Sequence, residues 1–388
     1  MERNQKWVAG WGAATSYTGA MVSNKVEDTT CRYVIIPTMN TSKIRLHFSN
    51  LLGEEEVDIA AVSVAQDIDA INVEVDTLTP VTFGGGRRLV MSAGEVDAVS
   101  DEIDFCVEAG KKICVSIYLD KSTDITTGHS NGGNFIKNIF ARGNFADTAS
   151  IPLERYANGC PYLFLNTIDF LCDDTHSAII AFGDSITARP WPDMVNRHLN
   201  TDGNGKRAII RRAIGGNRVL REYTCLFKRN YGPAGIKRFE QDVCKTAGVS
   251  AVVVLEGIND LWHPRLDNPF SSIDELPTLE ELINGYRVYI DLAHKHGIKI
   301  YFSTLLPCFP LETQYEGKIE IFDGVNNWIR TNTEADGYVE FEKALEDPEM
   351  PRHMVSEYDS GDNLHPSYNG SKVMAATVYQ ALKEYGEV

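Results

Sequence analysis

Ser185, Asp362 and His365 are the residue types that acyl transfer uses, and each stands where the chain changes character. A short apolar run, Ala178 to Phe182, ends in Gly183-Asp184-Ser185, and a segment with helical spacing follows from Trp191 to Leu199. A buried strand that stops at a small-residue turn and feeds a helix delivers the turn residue to the carboxyl edge of a sheet, where open α/β folds build their sites. A serine there lies near the positive end of a helix with its hydroxyl exposed, which suits a nucleophile. Taken alone, the stretch serves equally as a helix cap, since Ser and Asp are common capping residues. Asp362-Asn-Leu-His365 sets a carboxylate and an imidazole in one turn before Pro366, close enough for the carboxylate to hold the ring in orientation.

Two more strand ends complete a set. Gly215-Gly216-Asn217 follows a predicted strand, and glycine there admits positive φ, so that a backbone N–H can point into a cleft. Asn259, in Gly257-Ile-Asn-Asp260, follows another and can donate its side-chain amide. Together these supply a serine to attack a carbonyl and a histidine to take and return its proton. They also supply an aspartate to fix the tautomer, and donors around the developing oxyanion. Each such donor is typically worth roughly 3–4 kcal/mol of barrier. Singly, Asn259 and Gly216 read as turn formers and His365 as a loop histidine. The G-x-S-x-G elbow of α/β-hydrolases is absent, because Ser185 sits in Phe-Gly-Asp-Ser-Ile-Thr.

The elements that must position these residues fall in the second half of the chain. From about Asp173 onward strand-like and helical runs alternate. Ala178–Phe182, Ala208–Ile214, Ala251–Leu255, Lys299–Thr304 and Tyr338–Phe341 read as strands. Ile236–Lys245, Leu279–His296, Lys318–Thr331 and Gly370–Glu384 read as helices between and after them. That alternation predicts an α/β domain with a parallel sheet covered on both faces. The first half is different. Arg32–Pro37, Lys43–Phe48, Val57–Val62, Arg88–Met91, Lys112–Leu119 and Tyr162–Leu165 have strand character and are separated by glycine-rich turns, with no long helical pattern. Many short strands with turn signals predict an all-β sandwich or jelly roll, for structure or for carbohydrate recognition. The expected division is therefore residues 1–172 as a β-sandwich accessory domain and 173–388 as the catalytic domain.

At 388 residues two domains are the better expectation, and 43% hydrophobic with 23% charged residues is ordinary globular composition. A formal net charge of -17 argues against nucleic acid or an anionic membrane as partner, since both call for a basic surface. The first residues, Met1 to Trp7, have no signal-peptide core, which points to the cytoplasm, with secretion open if a leader has been removed. The eight cysteines are scattered, without a C-x-x-C pair, and read as reduced core residues.

With those blocks in place, the chain resembles the SGNH, or GDSL-type, hydrolase family of esterases and lipases. Gly183-Asp184-Ser185 resembles its first block, Gly216 the glycine of its second, Gly257-Ile-Asn259-Asp260 its third, and Asp362-x-x-His365 its last. The phrases Ala213–Arg218 and Leu255–Asp260, and the regions Trp7–Gly12 and Val81–Gly86, are similar to a subgroup with an N-terminal β-domain. The resemblance implies a three-layer α/β/α sandwich of flavodoxin-like kind. It implies Ser185 as nucleophile, His365 as base and Asp362 as its partner. It further implies an oxyanion hole from the N–H groups of Ser185 and Gly216 and the side chain of Asn259, with Gly215 an open alternative for the second donor. No metal or organic cofactor is expected. The implied substrate is a small-molecule or oligosaccharide ester, most of all an acetylated carbohydrate. A general carboxylesterase or lipase, and a carbohydrate-binding protein on an inactive hydrolase scaffold, are the alternatives.

Other candidates are weaker. Trp262 and His263 follow Asn259 closely and could line the substrate pocket or pack a loop. Trp191, Tyr358 and Tyr368 flank the blocks, with core packing the ordinary role for such aromatics. The polar His129–Gly133 loop is glycine-rich enough to reach a cleft. His294 and His296 lie two apart on a predicted helix and face different ways, which makes a poor metal pair.

Overall fold

The apolar runs of the second half become the centre of a sheet because every residue of the first one is buried. β1 (Ser177–Gly183) is inaccessible along its whole length, as a strand covered on both faces must be. It is joined by β2 (Arg207–Ala213), β3 (Val249–Leu255), β4 (Lys299–Ser303) and β5 (Gly337–Val339) in the order β2-β1-β3-β4-β5. The β1–β3, β3–β4 and β4–β5 pairings are parallel. The computed structural model describes residues 4–18, 25–129, 138–203, 205–225, 228–266, 268, 271–308, 310–311 and 317–388.

Helices α1 (Trp191–Thr201), α2 (Gly235–Phe239), α3 (Ile258–Trp262), α4 (Leu279–Lys295), α5 (Lys318–Thr331), α6 (Phe341–Leu345) and α7 (Tyr368–Glu384) connect the strands or close the chain. The strand period of two sorts them into layers. Phe182 of β1 packs on Phe239 of α2 and Tyr289 of α4, and Phe302 of β4 packs on Tyr286 of α4 and Trp328 of α5. Tyr301, the neighbour of Phe302, points the other way and stacks on Tyr385 just past α7. His198 ties α1 to α7 through Tyr379, and Trp191 ties α1 to α6 through Phe341. The sheet thus has a helical layer on each face. Caps match the sequence chemistry: Thr278 and Glu281 form a reciprocal capping box on α4, and Ser367 accepts from the Gly370 N–H at the start of α7.

The first half holds antiparallel sheets. One orders Gln5–Gly12, Leu165–Asp173, Thr41–Phe48 and Ala98–Val99, with Ile103–Val107 also on Thr41–Phe48. A six-stranded sheet is centred on Thr29–Ile35 and Ile113–Leu119. The chain divides into two compact units, Met1–Ser177 with Asn200–Ala208, and Ala178–Leu199 with Ile209–Val388.

Local departures from the expected elements have local causes. The strand expected over Val57–Val62 breaks at Ala60, so that Val57–Ile59 pairs with Leu89–Met91 while Ala61–Gln66 pairs in the six-stranded sheet. The strand expected over Tyr162–Leu165 breaks at Phe164, whose φ of 62° leaves the β region. The strand expected through Phe341 stops at Val339, because Glu340 caps α6 by accepting from Lys343 N–H. The helix expected over Ile236–Lys245 is α-helical only to Phe239 and widens to a π turn over Glu240–Cys244. Among the described residues no helix is long and apolar enough to cross a membrane.

Candidate active site

An order of 2-1-3-4-5 reverses direction between β1 and β3, and a crevice opens at such a switch point beyond the strand ends. Three of the four sequence blocks emerge there. Gly183 closes β1 against β3, and a Cβ on it would run into the carbonyl oxygen of Leu255 and the hydroxyl of Thr187. That contact explains the glycine without any appeal to chemistry. Ser185 stands two residues on, half-buried, in the turn before α1.

The Ser185 Oγ lies 2.7 Å from His365 Nε2. The His365 Nδ1 lies 2.7 Å from Asp362 Oδ2. The loop that brings them together is built by its own acids. Asp359 accepts from the N–H groups of Gly361 (2.8 Å), Asp362 (3.2 Å) and Asn363 (3.1 Å). Asp362 Oδ1 accepts from the N–H of His365 (2.8 Å) and of Leu364 (3.0 Å) and from the Ser360 hydroxyl (3.2 Å). Burial works against the Asp362 charge, but these N–H groups and the imidazole outweigh it and hold the carboxyl down to about 2. It is therefore ionised through the neutral range.

Gly216, in the turn after β2, has a φ of 75°, and a Cβ there would strike the ring of Tyr231. Gly215 faces Ser185, since a Cβ on it would come within 3.9 Å of Ser185 Cβ. Among the described residues, neither the Ser185 N–H nor the Gly216 N–H has a hydrogen-bond partner. Two unspent backbone donors beside a serine are what an oxyanion site requires. Asn259 is buried and joined to this group, but its amide is engaged. Its Nδ2 donates to Asp184 Oδ2 (3.1 Å) and to the Asn217 carbonyl (3.0 Å). It therefore ties the turn after β2 to the residue before Ser185, and its Nδ2 reaches a further acceptor only by giving up one of those bonds.

The pocket candidates divide. His263 is held by Tyr223, whose hydroxyl contacts its Nδ1 and also donates to the Gly216 carbonyl at 2.7 Å. Burial, then the positive charges of Arg218, Arg265 and Lys318, push the His263 imidazole down to about 4, so it is neutral and serves the turn through Tyr223. Trp262 is half-buried with the Arg265 guanidinium 4.8 Å from its ring. Trp191 is fully buried in the core, and Tyr368 is exposed beneath Lys372. The Tyr358 carbonyl accepts from the Ser367 N–H ahead of α7. His294 pairs with Asp336, and His296 lies 4.0 Å from Glu240, so the two serve separate contacts. Residues 130–133 of the His129–Gly133 loop lie outside the described residues.

Sequence reasoning passed over the buried acids and arginines around the site. Asp260 accepts from the N–H groups of Val219 (2.8 Å) and Leu220 (3.2 Å) and so anchors the chain leaving the turn after β2. Burial raises its carboxyl to about 7 and that of Asp184 to about 8. Arg238 lies buried among them. Glu256 carried a sequence signal, a charge directly after a buried apolar strand, whereas Arg238 carried none.

Among solved structures, an acetyl xylan esterase is similar over 53% of this chain and 99% of its own, at 21% identity and a TM-score of 0.41. A GDSL-like lipase from Bacteroides thetaiotaomicron is similar over 53% of this chain and 88% of its own, at 19% identity and a TM-score of 0.39. The psychrotrophic esterase EstA from Pseudoalteromonas sp. is similar over 54% of this chain and 99% of its own, at 12% identity and a TM-score of 0.40. Comparison with curated proteins finds no match. Residues 181–373, which hold every block described above, match the GDSL-like Lipase/Acylhydrolase family, and this part of the chain, preceded by a β-rich region, belongs to that family of ester hydrolases.

Proposed function

We propose that the chain is a serine esterase that removes short acyl groups, acetyl foremost, from carbohydrate. The observation that carries the chemistry is the line of contacts from Ser185 through His365 to Asp362, 2.7 Å at each step, beside two N–H groups that have no partner among the described residues. In the first half-reaction Ser185 Oγ attacks the ester carbonyl carbon while His365 Nε2 takes the hydroxyl proton. Asp362 keeps the ring proton on Nδ1 and stabilises the imidazolium. The oxyanion forms against the N–H groups of Ser185 and Gly216. Collapse breaks the bond to the alcohol oxygen, which leaves with the proton from Nε2. Water then attacks the acyl-serine by the same route, releasing the acid and restoring Ser185.

The preference for a short acyl group rests on the sequence resemblance to that family of esterases. The carbohydrate preference and the reading of the first unit as a jelly-roll accessory domain rest on the sequence resemblance to two-domain esterases. The test is acetate release from acetylated xylan, mannan, pectin and chitin fragments, with wild type beside Ser185→Ala. Release from one glycan that the variant abolishes, with turnover reduced by roughly 10⁶-fold, is the expected result. Hydrolysis of a simple aryl ester without release from any glycan would leave the mechanism and refute the substrate. Silence on both would make the domain a scaffold.

A further inference from the structure

We propose that Arg238 is a positioning residue that holds three loops of the site in mutual register, a role that rests on the esterase reading above. A guanidinium has five N–H bonds, and here every one is placed. Nε donates to Asn217 Oδ1 at 2.7 Å. One terminal nitrogen donates to the Arg212 carbonyl (3.1 Å) and Asp242 (2.8 Å), the other to the Gly183 carbonyl (2.8 Å) and Glu256 (3.3 Å). The group lies 3.9 Å from the centre of the Phe182 ring and its side chain is 5% exposed.

The partners are not a random set of acids. Gly183 is two residues before the nucleophile, Asn217 is the residue after Gly216, and Glu256 is three before Asn259. These are the ends of β1, β2 and β3. Asn217 extends the clamp, since its amide donates to the carbonyls of Tyr231 and Pro233 at 2.7 Å each. Burying a charge is costly unless it is fully paired, so a structure with no use for this fork would be served as well by apolar packing. The fork's rigid geometry is what can set three strand ends at once.

The experiment compares wild type, Arg238→Lys, Asn217→Ala and the double variant on 4-nitrophenyl acetate, with thermal unfolding run on each. Lysine keeps the charge but not the fork. Each single change should lower kcat by about 10- to 100-fold with KM within about threefold, the scale of a displaced reacting group. The double variant should be no worse than the weaker single by more than about threefold, because both changes release the same turn. A folded Arg238→Lys protein with wild-type kcat, or losses that multiply in the double variant, would overturn the proposal. If Arg238→Lys does not fold, Asn217→Ala decides by the same kcat criterion. Wild type that hydrolyses nothing refutes the esterase reading and this inference with it, whereas active wild type with unchanged variants refutes the inference alone.

Discussion

Replacing Asp362 by its near-isostere asparagine should be as damaging as removing the side chain, and the loop geometry says why. Asp362 Oδ1 is addressed by the N–H groups of His365 and Leu364 at 2.8 and 3.0 Å, and Oδ2 faces His365 Nδ1 at 2.7 Å. An asparagine has one acceptor to offer. Turning its NH₂ toward the two backbone donors leaves them unmatched, at roughly 1–3 kcal/mol each if fully buried. The side chain is 48% exposed, so water relieves part of that cost, but the sign is fixed. The oxygen stays at the Oδ1 position and the NH₂ is set against Nδ1. That nitrogen must then accept, the ring proton moves to Nε2, and Nε2 donates to Ser185 Oγ instead of receiving from it. A triad held in the wrong tautomer loses about 10⁴-fold in kcat, equivalent to about 5.5 kcal/mol, and partial exposure brings the expectation here to about 10³- to 10⁴-fold. Asp362→Ala leaves Nδ1 to water and the tautomer free, so Asp362→Asn should be no more active than Asp362→Ala. The assay is kcat and KM for 4-nitrophenyl acetate at neutral pH, with unfolding midpoints to exclude loss of the loop. An asparagine variant with more than a tenth of wild-type kcat, or tenfold above the alanine variant, would refute the tautomer argument.

Other consequences can be measured with the same protein. Gly216→Ala should lower kcat at least about tenfold and cost on the order of 1–2 kcal/mol of stability, because alanine resists a φ of 75° and its methyl meets Tyr231. Pairing it with Tyr231→Ala should relieve the collision but not the backbone cost, so neither stability nor kcat should return in full, and full recovery of both would show that the φ at this turn is immaterial. Tyr223→Phe removes the donor to the Gly216 carbonyl and strands His263 Nδ1, so it should reduce kcat by about 10-fold and stability by roughly 1–3 kcal/mol. Unchanged kcat would mean that the turn holds itself. In the first unit, burial opposes charge on His47, but hydrogen bonds to Asp169 (3.0 Å) and Asp97 (3.0 Å) carry its pKa up to about 9. The folded state therefore keeps a proton that the unfolded chain releases near pH 6.5. The contribution, on the order of 3 kcal/mol, is whole below about pH 6.5 and lost as pH rises through about 9. Denaturant unfolding should show wild type ahead of His47→Gln at pH 6 and level with it above pH 9.5, and a gap that widens with pH would contradict the assigned charge.

The parts of this site that could be read from sequence are those whose partners are near in the chain or whose place is set by a strand end. Asp362 and His365 share one turn, so their contact follows from spacing. Ser185, Gly216 and Asn259 each follow a buried apolar run, and parallel topology carries such residues to one edge. The supporting contacts have no such signature. Arg238 reaches Gly183 across 55 positions and Asn217 across 21, from a five-residue helix with nothing unusual in its composition. Tyr223 and His263 meet across 40 positions, and His263 was legible only as a neighbour of Asn259. The same holds for the first unit. Its alternating runs gave strands where strands occur, while the breaks at Ala60 and Phe164 depend on which neighbour the chain pairs with next.

Asn259 shows how this limit bears on function. Its position at a strand end was legible, but the acceptors already facing its amide were not. Its two bonds, to Asp184 and to the Asn217 carbonyl, make it part of the same frame that Arg238 fastens from the other side of Asn217. In the proposed reaction the oxyanion forms against two backbone N–H groups held by that frame, and the asparagine amide joins them only by giving up one of those bonds as charge develops. Interactions that strengthen in that order favour the transition state over the bound ester, which is the condition for raising kcat and not merely tightening binding.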